Sequence, residues 1–258
     1  LFAIQPFQKF DVFLGECTVL HTNEPRKKRN FFPYLMRVLE LFSGTGSVGK
    51  AFAERGWEVV SLDKDQKTDA TIKEDILTWD HTVYPPGHFD VIWASPDCTQ
   101  YSCARRGAKT ERNLPLADSL VLRTLEIIDY FNPPAFFIEN PQTGLLKDRE
   151  FMVDIPFSDA CYCCYCDWGY KKRTRLWNNV GFIGKLCPGE GLCPNMDGRR
   201  HKNTAQQCKN RGKDGLYGNA FSTRKLHRIP PALCNEICKD RKSTRLNSSH
   251  VKRSRMPS

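Results

Sequence analysis

Four short apolar runs, each ending in polar residues, limit what this chain can fold into. They are "RVLELF" from Arg37, "WEVVSLD" from Trp57, "DVIWAS" from Asp90 and "AFFIEN" from Ala135. Helix-like stretches lie between them, "KAFAERG" after the first run and "PLADSLVLRTLEIIDYF" before the last. Strands that alternate with helices predict an α/β fold with a mostly parallel, doubly wound sheet and helices on both faces. Ligands of such sheets bind at the carboxyl ends of the strands, where these polar residues lie.

Length and composition favour one large domain, or one domain with a small appendage. The chain has 258 residues, of which 40% are apolar, and no apolar run approaches the ~20 residues of a membrane span. It begins at Leu1 rather than Met, so we expect a fragment, and its start lacks the pattern of a secretory signal. Twelve cysteines in such a chain indicate reduced thiols, a metal site or a catalytic thiol.

The net charge of +10 is concentrated in the flanks. Residues 241–258 carry +6 and residues 1–30 carry +2, which leaves +2 for the 210 residues between them. A basic surface favours nucleic acid as a partner, but the charge of this chain is only a weak argument for it. Residues 242–258 have almost no apolar content, and we expect a disordered or non-native tail there.

A glycine-rich turn follows the first apolar run. Gly44 and Gly46 in "FSGTG" let the backbone approach a ligand, and the helix that follows offers N–H groups at its start. Asp63 ends the second run, where an acid can accept hydrogen bonds from ribose hydroxyls. Asp75 and Ile76 in "EDIL" are expected to lie against an adenine. Taken together, these features favour a nucleoside-containing cofactor over a purely structural turn.

Cys98 in "SPDCTQYS" lies just beyond the third run. A lone cysteine is more often a small buried hydrophobe than a nucleophile. Arg105 and Arg106 would favour its thiolate, whereas Asp97 would oppose it. Glu139 at the end of the fourth run decides for the nucleophile, because a protonated carboxyl group in the same crevice can donate to a ring nitrogen.

Two arginines follow in "YKKRTRLW". Arg173 and Arg175 are two residues apart, so they share one face of a strand. One guanidinium is expected to grip a base carbonyl and the other a phosphate. The alternative is an exposed basic strand.

The order "FSGTG", "SLD", "EDI", "SPDCTQYS", "IENP", "KKRTR" and "RIPPAL" resembles the motif order of the cytosine-C5 DNA methyltransferase family across about residues 37–240. The resemblance implies a Rossmann-like fold that binds S-adenosylmethionine and flips a cytosine out of duplex DNA. It implies these cofactor-binding residues: Phe42, Ser43, Gly44, Gly46, Asp63, Asp75, Ile76 and Pro96. Its catalytic residues are the nucleophile Cys98, the base-binding acid Glu139 and the two arginines, Arg173 and Arg175.

The same resemblance implies a domain organisation. We expect an N-terminal extension (1–36), a catalytic core (37–178), a small Cys- and Gly-rich target-recognition segment (179–218), a closing motif that returns to the core (219–241) and the tail. The recognition segment is short, which favours weak sequence specificity. It holds Cys187, Cys193, His201 and Cys208, but without a compact C-x2-C pair, so we expect no metal there. Four further cysteines between positions 161 and 166 alternate on an expected strand and cannot all face one ion.

Two other functions stay open. One branch of the family methylates a tRNA cytosine by the same chemistry, so RNA is the alternative partner. A catalytically silent relative is the other, favoured by Asp97 in the position before Cys98, where the family has proline. We expect no membrane partner, a monomer, and an intracellular location in the nucleus or wherever the target DNA resides.

Overall fold

The structure is a computed structural model, and it describes residues 35–203, residue 205 and residues 222–239. The predictions for the N-terminal extension up to residue 34, for Cys208 and for the tail lie outside these residues. Within the described part of the chain, no helix is both long and apolar enough to cross a membrane.

A six-stranded sheet forms the centre of the fold. Its strands are β1 (Arg37–Leu41), β2 (Glu58–Leu62), β3 (Val91–Ala94), β4 (Ala135–Pro141), β5 (Phe157–Cys161) and β6 (Arg173–Asn178), in the order β2-β1-β3-β4-β6-β5. The first four strands are parallel, and β6 runs antiparallel to both β4 and β5. The predicted mostly parallel sheet is therefore confirmed, with an antiparallel pair at one edge.

Helices cover both faces of this sheet, as predicted. They are α1 (Ser47–Ala53), α2 (Leu114–Phe131), α3 (Thr223–Leu226) and α4 (231–239). Because strand side chains alternate between faces, Val38 packs with Phe52 of α1 and Leu233 of α4, whereas Leu39 packs with Val121 of α2. Short 3-10 turns lie at His81–Val83, Cys103–Gly107, Leu145–Asp148, Glu150–Met152 and Tyr162–Cys164.

The strand order explains where ligands can bind. From β1 the chain moves to β2 on one side, and then to β3 on the other side of β1. This reversal opens a crevice at the carboxyl ends of β1 and β3. The loop after β1 (42–46) and the loop after β3 (95–98) lie at that point, and both carry sequence-predicted site residues.

The Cys-rich stretch after β5 is not the strand that its alternation predicts. β5 ends at Cys161, which pairs with Arg173 at the first position of β6. One more backbone contact follows, from Tyr162 N to Lys172 O at 3.0 Å, and the chain then leaves the sheet in the 3-10 turn Tyr162–Cys164. A two-stranded hairpin, β7 (Met196–Asp197) and β8 (Arg200–His201), follows later in the chain.

Candidate active site

The loop after β1 has an unusual backbone. Phe42, Gly44 and Gly46 have φ of 58°, 50° and 64°, in the left-handed region. Glycine adopts that region freely, whereas a side chain there costs roughly 1–2 kcal/mol. Ser43 holds the loop, because its N–H donates to Leu62 O at 3.1 Å and its carbonyl accepts from Gly46 N at 2.7 Å. Phe42 is thus strained at the mouth of the crevice, as ligand-binding loops often are.

The start of α1 is not open to a ligand in the way the sequence predicts. The N–H groups of Val48 and Gly49 donate to the buried carboxyl group of Glu40 at 3.2 and 2.9 Å. Burial raises the pKa of Glu40 to about 7, although these two hydrogen bonds oppose the rise. A Cβ atom at Gly49 would lie 2.6 Å from Glu40 Oε2, so only glycine allows this approach.

Five of the sequence-predicted cofactor residues line one cleft of about 480 Å³, the Asp63 cleft; they are Phe42, Gly44, Asp63, Asp75 and Ile76. The Asp63 carboxylate accepts from Gly44 N at 2.7 Å and from Asp65 N at 2.8 Å. Each carboxylate oxygen accepts about two hydrogen bonds, so capacity for ligand hydroxyls remains. The carboxylates of Asp63 and Asp75 and the apolar side chain of Ile76 line this cleft. Such a lining suits a nucleoside, which offers ribose hydroxyls and an amino group to the acids and a flat ring to the apolar side chain.

A second, smaller cleft of about 110 Å³, the Cys98 cleft, brings Cys98 and Glu139 together with Ser43, Pro96 and Lys172. The two clefts share five lining residues: Phe42, Gly44, Ser95, Asp97 and His227. They therefore adjoin at the crevice between β1 and β3. Gly46 lines neither cleft, and its contribution is the left-handed turn before α1.

Glu139 is buried at the end of β4, and two hydroxyl groups hold it. Tyr162 donates to Glu139 Oε1 at 3.3 Å, and the Thr174 hydroxyl donates to the same oxygen. Oε2 accepts no hydrogen bond from the part of the chain that the structure describes, and it stays available to a ligand. Sequence reasoning missed Tyr162, since nothing in the Cys-rich stretch distinguishes its phenol.

Cys98 is half-buried in its cleft. Burial raises the pKa of its thiol to about 11, Glu139 raises it further, and Lys172 opposes the rise. The free protein therefore holds Cys98 as a thiol at neutral pH. The predicted help from Arg105 is not seen, because its guanidinium donates to the carbonyl groups of Thr110 and Glu111.

Asp97 is exposed, and its carboxylate has a local task. Its Oδ1 accepts a hydrogen bond from Thr99 N at 2.9 Å and so closes the turn after Cys98. Its charge raises the pKa of Cys98, after burial and Glu139. The acid opposes the thiolate as the sequence predicts, but it does so as a minor contributor.

Asn140, next to Glu139, anchors the Cys98 loop. Adjacent strand residues face opposite sides of a sheet, and the buried Asn140 donates from Nδ2 to Pro96 O at 3.0 Å. The pair "EN" at the end of β4 thus serves two purposes. One side chain enters the Cys98 cleft, and the other fixes the loop that carries the thiol.

Neither Arg173 nor Arg175 lines the Cys98 cleft, which corrects the prediction that Arg175 holds the base carbonyl there, whereas the predicted phosphate contact of Arg173 stays a prediction. Arg175 pairs across the sheet with Asn140, whereas Glu139 pairs with Leu176, so strand alternation puts both arginines on the face opposite Glu139. Arg175 forms two hydrogen bonds to Asp159, at 2.7 and 3.1 Å. Its guanidinium also lies 3.5 Å from the centre of the Phe157 ring. Arg173 is exposed.

Lys172 and His227 are two basic cleft residues that were not predicted from the sequence. Lys172 lines the Cys98 cleft, and its ammonium donates to Leu226 O at 3.1 Å and lies 4.7 Å from the centre of the Tyr162 ring. Lys172 precedes Thr174 by two residues, so strand alternation puts both side chains on the face of Glu139. That alternation is the sequence signal that could have identified Lys172. His227, which lies in the predicted closing motif directly before "RIPPAL", lines both clefts.

Comparisons with known proteins agree with these observations. The family model described as C-5 cytosine-specific DNA methylase matches residues 36–154. A probable DNA (cytosine-5)-methyltransferase of Frog virus 3 (isolate Goorha) is 41% identical over 221 residues, which covers 78% of this chain and 98% of that relative.

Solved structures are more distant. A variant of DNMT2 from Spodoptera frugiperda is 16% identical, with a TM-score of 0.42 over 62% of this chain and 57% of that one. The Entamoeba histolytica methyltransferase EhMeth is also 16% identical, with a TM-score of 0.43 over 59% of this chain and 56% of that one. The chain thus spans a little over half the length of these two structures.

Proposed function

Because the chain belongs to the C-5 cytosine-specific DNA methylase family, we propose that it transfers a methyl group from S-adenosylmethionine to C5 of cytosine in DNA. The observation that carries the proposal is the pair of adjoining clefts. One presents carboxylates suited to a nucleoside, and the other holds Cys98 beside Glu139.

The Asp63 cleft would hold the methyl donor. Asp63 would accept hydrogen bonds from the ribose hydroxyls, Asp75 would accept from the adenine amino group, and Ile76 would cover the adenine face. S-adenosylmethionine supplies a methyl group made electrophilic by its sulfonium. Phe42 and Gly44 line both clefts, so the loop after β1 would form the wall between donor and acceptor.

In the Cys98 cleft, the chain would make C5 of cytosine nucleophilic. The Cys98 thiolate adds to C6 while Glu139 donates a proton or a hydrogen bond to N3, and electron density moves to C5. After C5 has taken the methyl group, its proton leaves, the C6–S bond breaks and Cys98 is released. A base inside a duplex is unreachable, so the cytosine must be flipped into the cleft.

The electrostatics of the cleft suggest how the thiolate would arise. Burial and the Glu139 charge keep Cys98 protonated in the free protein. A bound base that shares a proton with Glu139 would weaken one of these causes, and Lys172 would then stabilise the thiolate. Nucleophile activation would thus depend on base binding. Among the described residues, Lys172 lines this cleft with its ammonium group, and neither predicted arginine does.

The test is a trapped adduct. The chain is incubated with S-adenosylmethionine and DNA that carries 5-fluorocytosine, in which fluorine prevents the loss of the C5 proton. We expect a complex that survives denaturant with the wild type and with Cys103→Ala, and none with Cys98→Ala. Cys103 is the matched control because it is a half-buried thiol five residues along the same loop.

The same experiment separates the alternatives. An adduct with 5-fluorocytosine in tRNA, but none with DNA, would make the chain a tRNA methyltransferase. No adduct with either nucleic acid would favour a catalytically silent relative. We also propose weak sequence specificity for the short recognition segment, and bisulfite sequencing of methylated DNA that shows one strict target would contradict it.

A further inference from the structure

Four potential metal ligands converge away from both clefts. The side chains of Cys163, Cys187, Cys193 and His201 bring their ligand atoms within 4.8 Å of one another. Cys163 and Cys193 are buried, whereas Cys187 and His201 are half-buried. Three of them are the weak candidates from the sequence. The fourth, Cys163, comes from the 3-10 turn after β5, which sequence spacing had excluded.

The two sulfur–nitrogen distances from His201 fit a tetrahedral ion. With Zn–S of about 2.3 Å and Zn–N of about 2.05 Å, a tetrahedron has S···N edges of about 3.6 Å and S···S edges of about 3.8 Å. His201 Nε2 lies 3.5 Å from Cys187 Sγ and 3.6 Å from Cys193 Sγ. Both values match the expected edge.

The surrounding backbone holds this arrangement in place. The buried Asn195 donates from Nδ2 to the carbonyl groups of Cys163 and Cys166, both at 2.8 Å, and accepts from Gly169 N at 3.0 Å. Cys193 N donates to Gly189 O at 3.0 Å. Asn195 lies between two of the ligands in the chain, so it ties the hairpin segment to the turn that carries Cys163.

We infer that these four residues bind one structural zinc ion as a Cys₃His site. Three sulfur donors and one imidazole in a tetrahedral arrangement favour zinc among the common divalent metals. Four protein ligands leave no open position, so the ion stabilises structure and takes no part in catalysis.

The site has a clear structural consequence. The ion would join the loop at 187–193 and the β7–β8 hairpin to Cys163. Cys163 directly follows Tyr162, and the Tyr162 hydroxyl donates to Glu139. Zinc would therefore hold residues 187–201 of the predicted recognition segment in a fixed position beside the catalytic core.

Metal content of the purified full chain tests the inference. After expression with zinc and transfer to metal-free buffer, elemental analysis should find one zinc ion per wild-type chain. Cys187→Ser and Cys193→Ser should lose it, while His201→Cys should keep it as a fourth thiolate. Cys164→Ser is the matched control, a half-buried cysteine beside Cys163 that is not one of the four ligands. A wild type without zinc, or equal zinc in Cys164→Ser and Cys187→Ser, would overturn the proposal.

A second measurement, cobalt(II) substitution, uses only the wild type and so does not depend on whether the variants fold. Cobalt(II) added to the metal-free wild type should give the visible absorption of tetrahedral, thiolate-rich cobalt, and added zinc should abolish it. Absence of that absorption would contradict the site. Neither readout uses methyl transfer, so the zinc site and the proposed activity can fail independently.

Discussion

The phenol of Tyr162 donates a hydrogen bond to Glu139 Oε1 at 3.3 Å, and both side chains are buried. With the Thr174 hydroxyl on the same oxygen, this contact fixes the carboxyl group and leaves Oε2 available for the base that we propose. A strand and a turn that are distant in sequence therefore orient one acid.

Removing that contact should slow chemistry without affecting cofactor binding. A hydrogen bond to a charged group contributes about 1.5–3 kcal/mol, so Tyr162→Phe should lower the rate of adduct formation roughly 10- to 100-fold. Affinity for S-adenosylmethionine, measured by calorimetry, should stay unchanged. Tyr130→Phe is the control. The Tyr130 hydroxyl, on α2, also donates one hydrogen bond, to Tyr84 O, but Tyr130 lines neither cleft. Equal effects of the two variants would show that the loss is one of stability.

The pH dependence of Cys98 follows from its environment. Because the pKa of its thiol is about 11, thiolate increases about tenfold per pH unit between pH 7 and 10. Alkylation of Cys98 by iodoacetamide in the free protein, followed by peptide mass spectrometry, should rise accordingly. Lys172→Met should slow it further, because Lys172 lowers this pKa. Lys171→Met, which removes an exposed charge at the adjacent position, should leave the alkylation rate unchanged. An alkylation rate that stops rising near neutral pH would contradict the assigned pKa.

Glu139 and Arg175, on the adjacent strands β4 and β6, show what could be predicted from the sequence and what could not. Glu139 was found because a carboxylate that ends a buried apolar run must lie at the carboxyl edge of a parallel sheet. Arg175 was misplaced because motif matching ignored register: β6 is antiparallel, and its alternation turns Thr174, rather than either arginine, toward Glu139. Cys163 could not be placed, since its partners lie 24 to 38 residues later and only the end of β5 turns it toward them.

Arg175 should prove structural rather than catalytic. Its paired hydrogen bonds to Asp159 join β5 to β6, and both side chains are mostly buried. Arg175→Ala should lower the free energy of unfolding by about 1–3 kcal/mol, while the folded fraction keeps its rate of adduct formation. Denaturant unfolding measures the first effect, with the exposed neighbour Arg173→Ala as control. Loss of adduct in a fully folded Arg175→Ala variant would restore its catalytic role.

Glu40 should make stability depend on pH. Its pKa is about 7 in the folded chain, against the ordinary glutamate value of 4.5 that applies to the unfolded chain, so between these values the folded state binds more protons. Its contribution is fully present below about pH 4.5 and is lost as pH rises through 7. The loss amounts to about 3 kcal/mol. Unfolding curves at pH 5 and pH 8 measure this difference in the free energy of unfolding. It should be present in the wild type and in the control Glu58→Gln. It should be absent in Glu40→Gln, even if that variant is more or less stable than the wild type at both pH values. An equal pH effect in Glu40→Gln would assign the titration to another group.

Asp97 should restrain Cys98 only slightly. Asp97→Asn keeps an acceptor for Thr99 N and removes the charge, which stands behind burial and Glu139 among the causes that raise the pKa of Cys98. Removal of this charge lowers the pKa of Cys98, so alkylation at neutral pH should become faster, by less than the tenfold that one full pKa unit would give. Glu139→Gln should accelerate alkylation more than Asp97→Asn, although it should abolish methyl transfer. If Asp97→Asn instead accelerates alkylation more than Glu139→Gln, the residue before the thiol, and not the cleft carboxylate, is the main negative charge that holds Cys98 protonated.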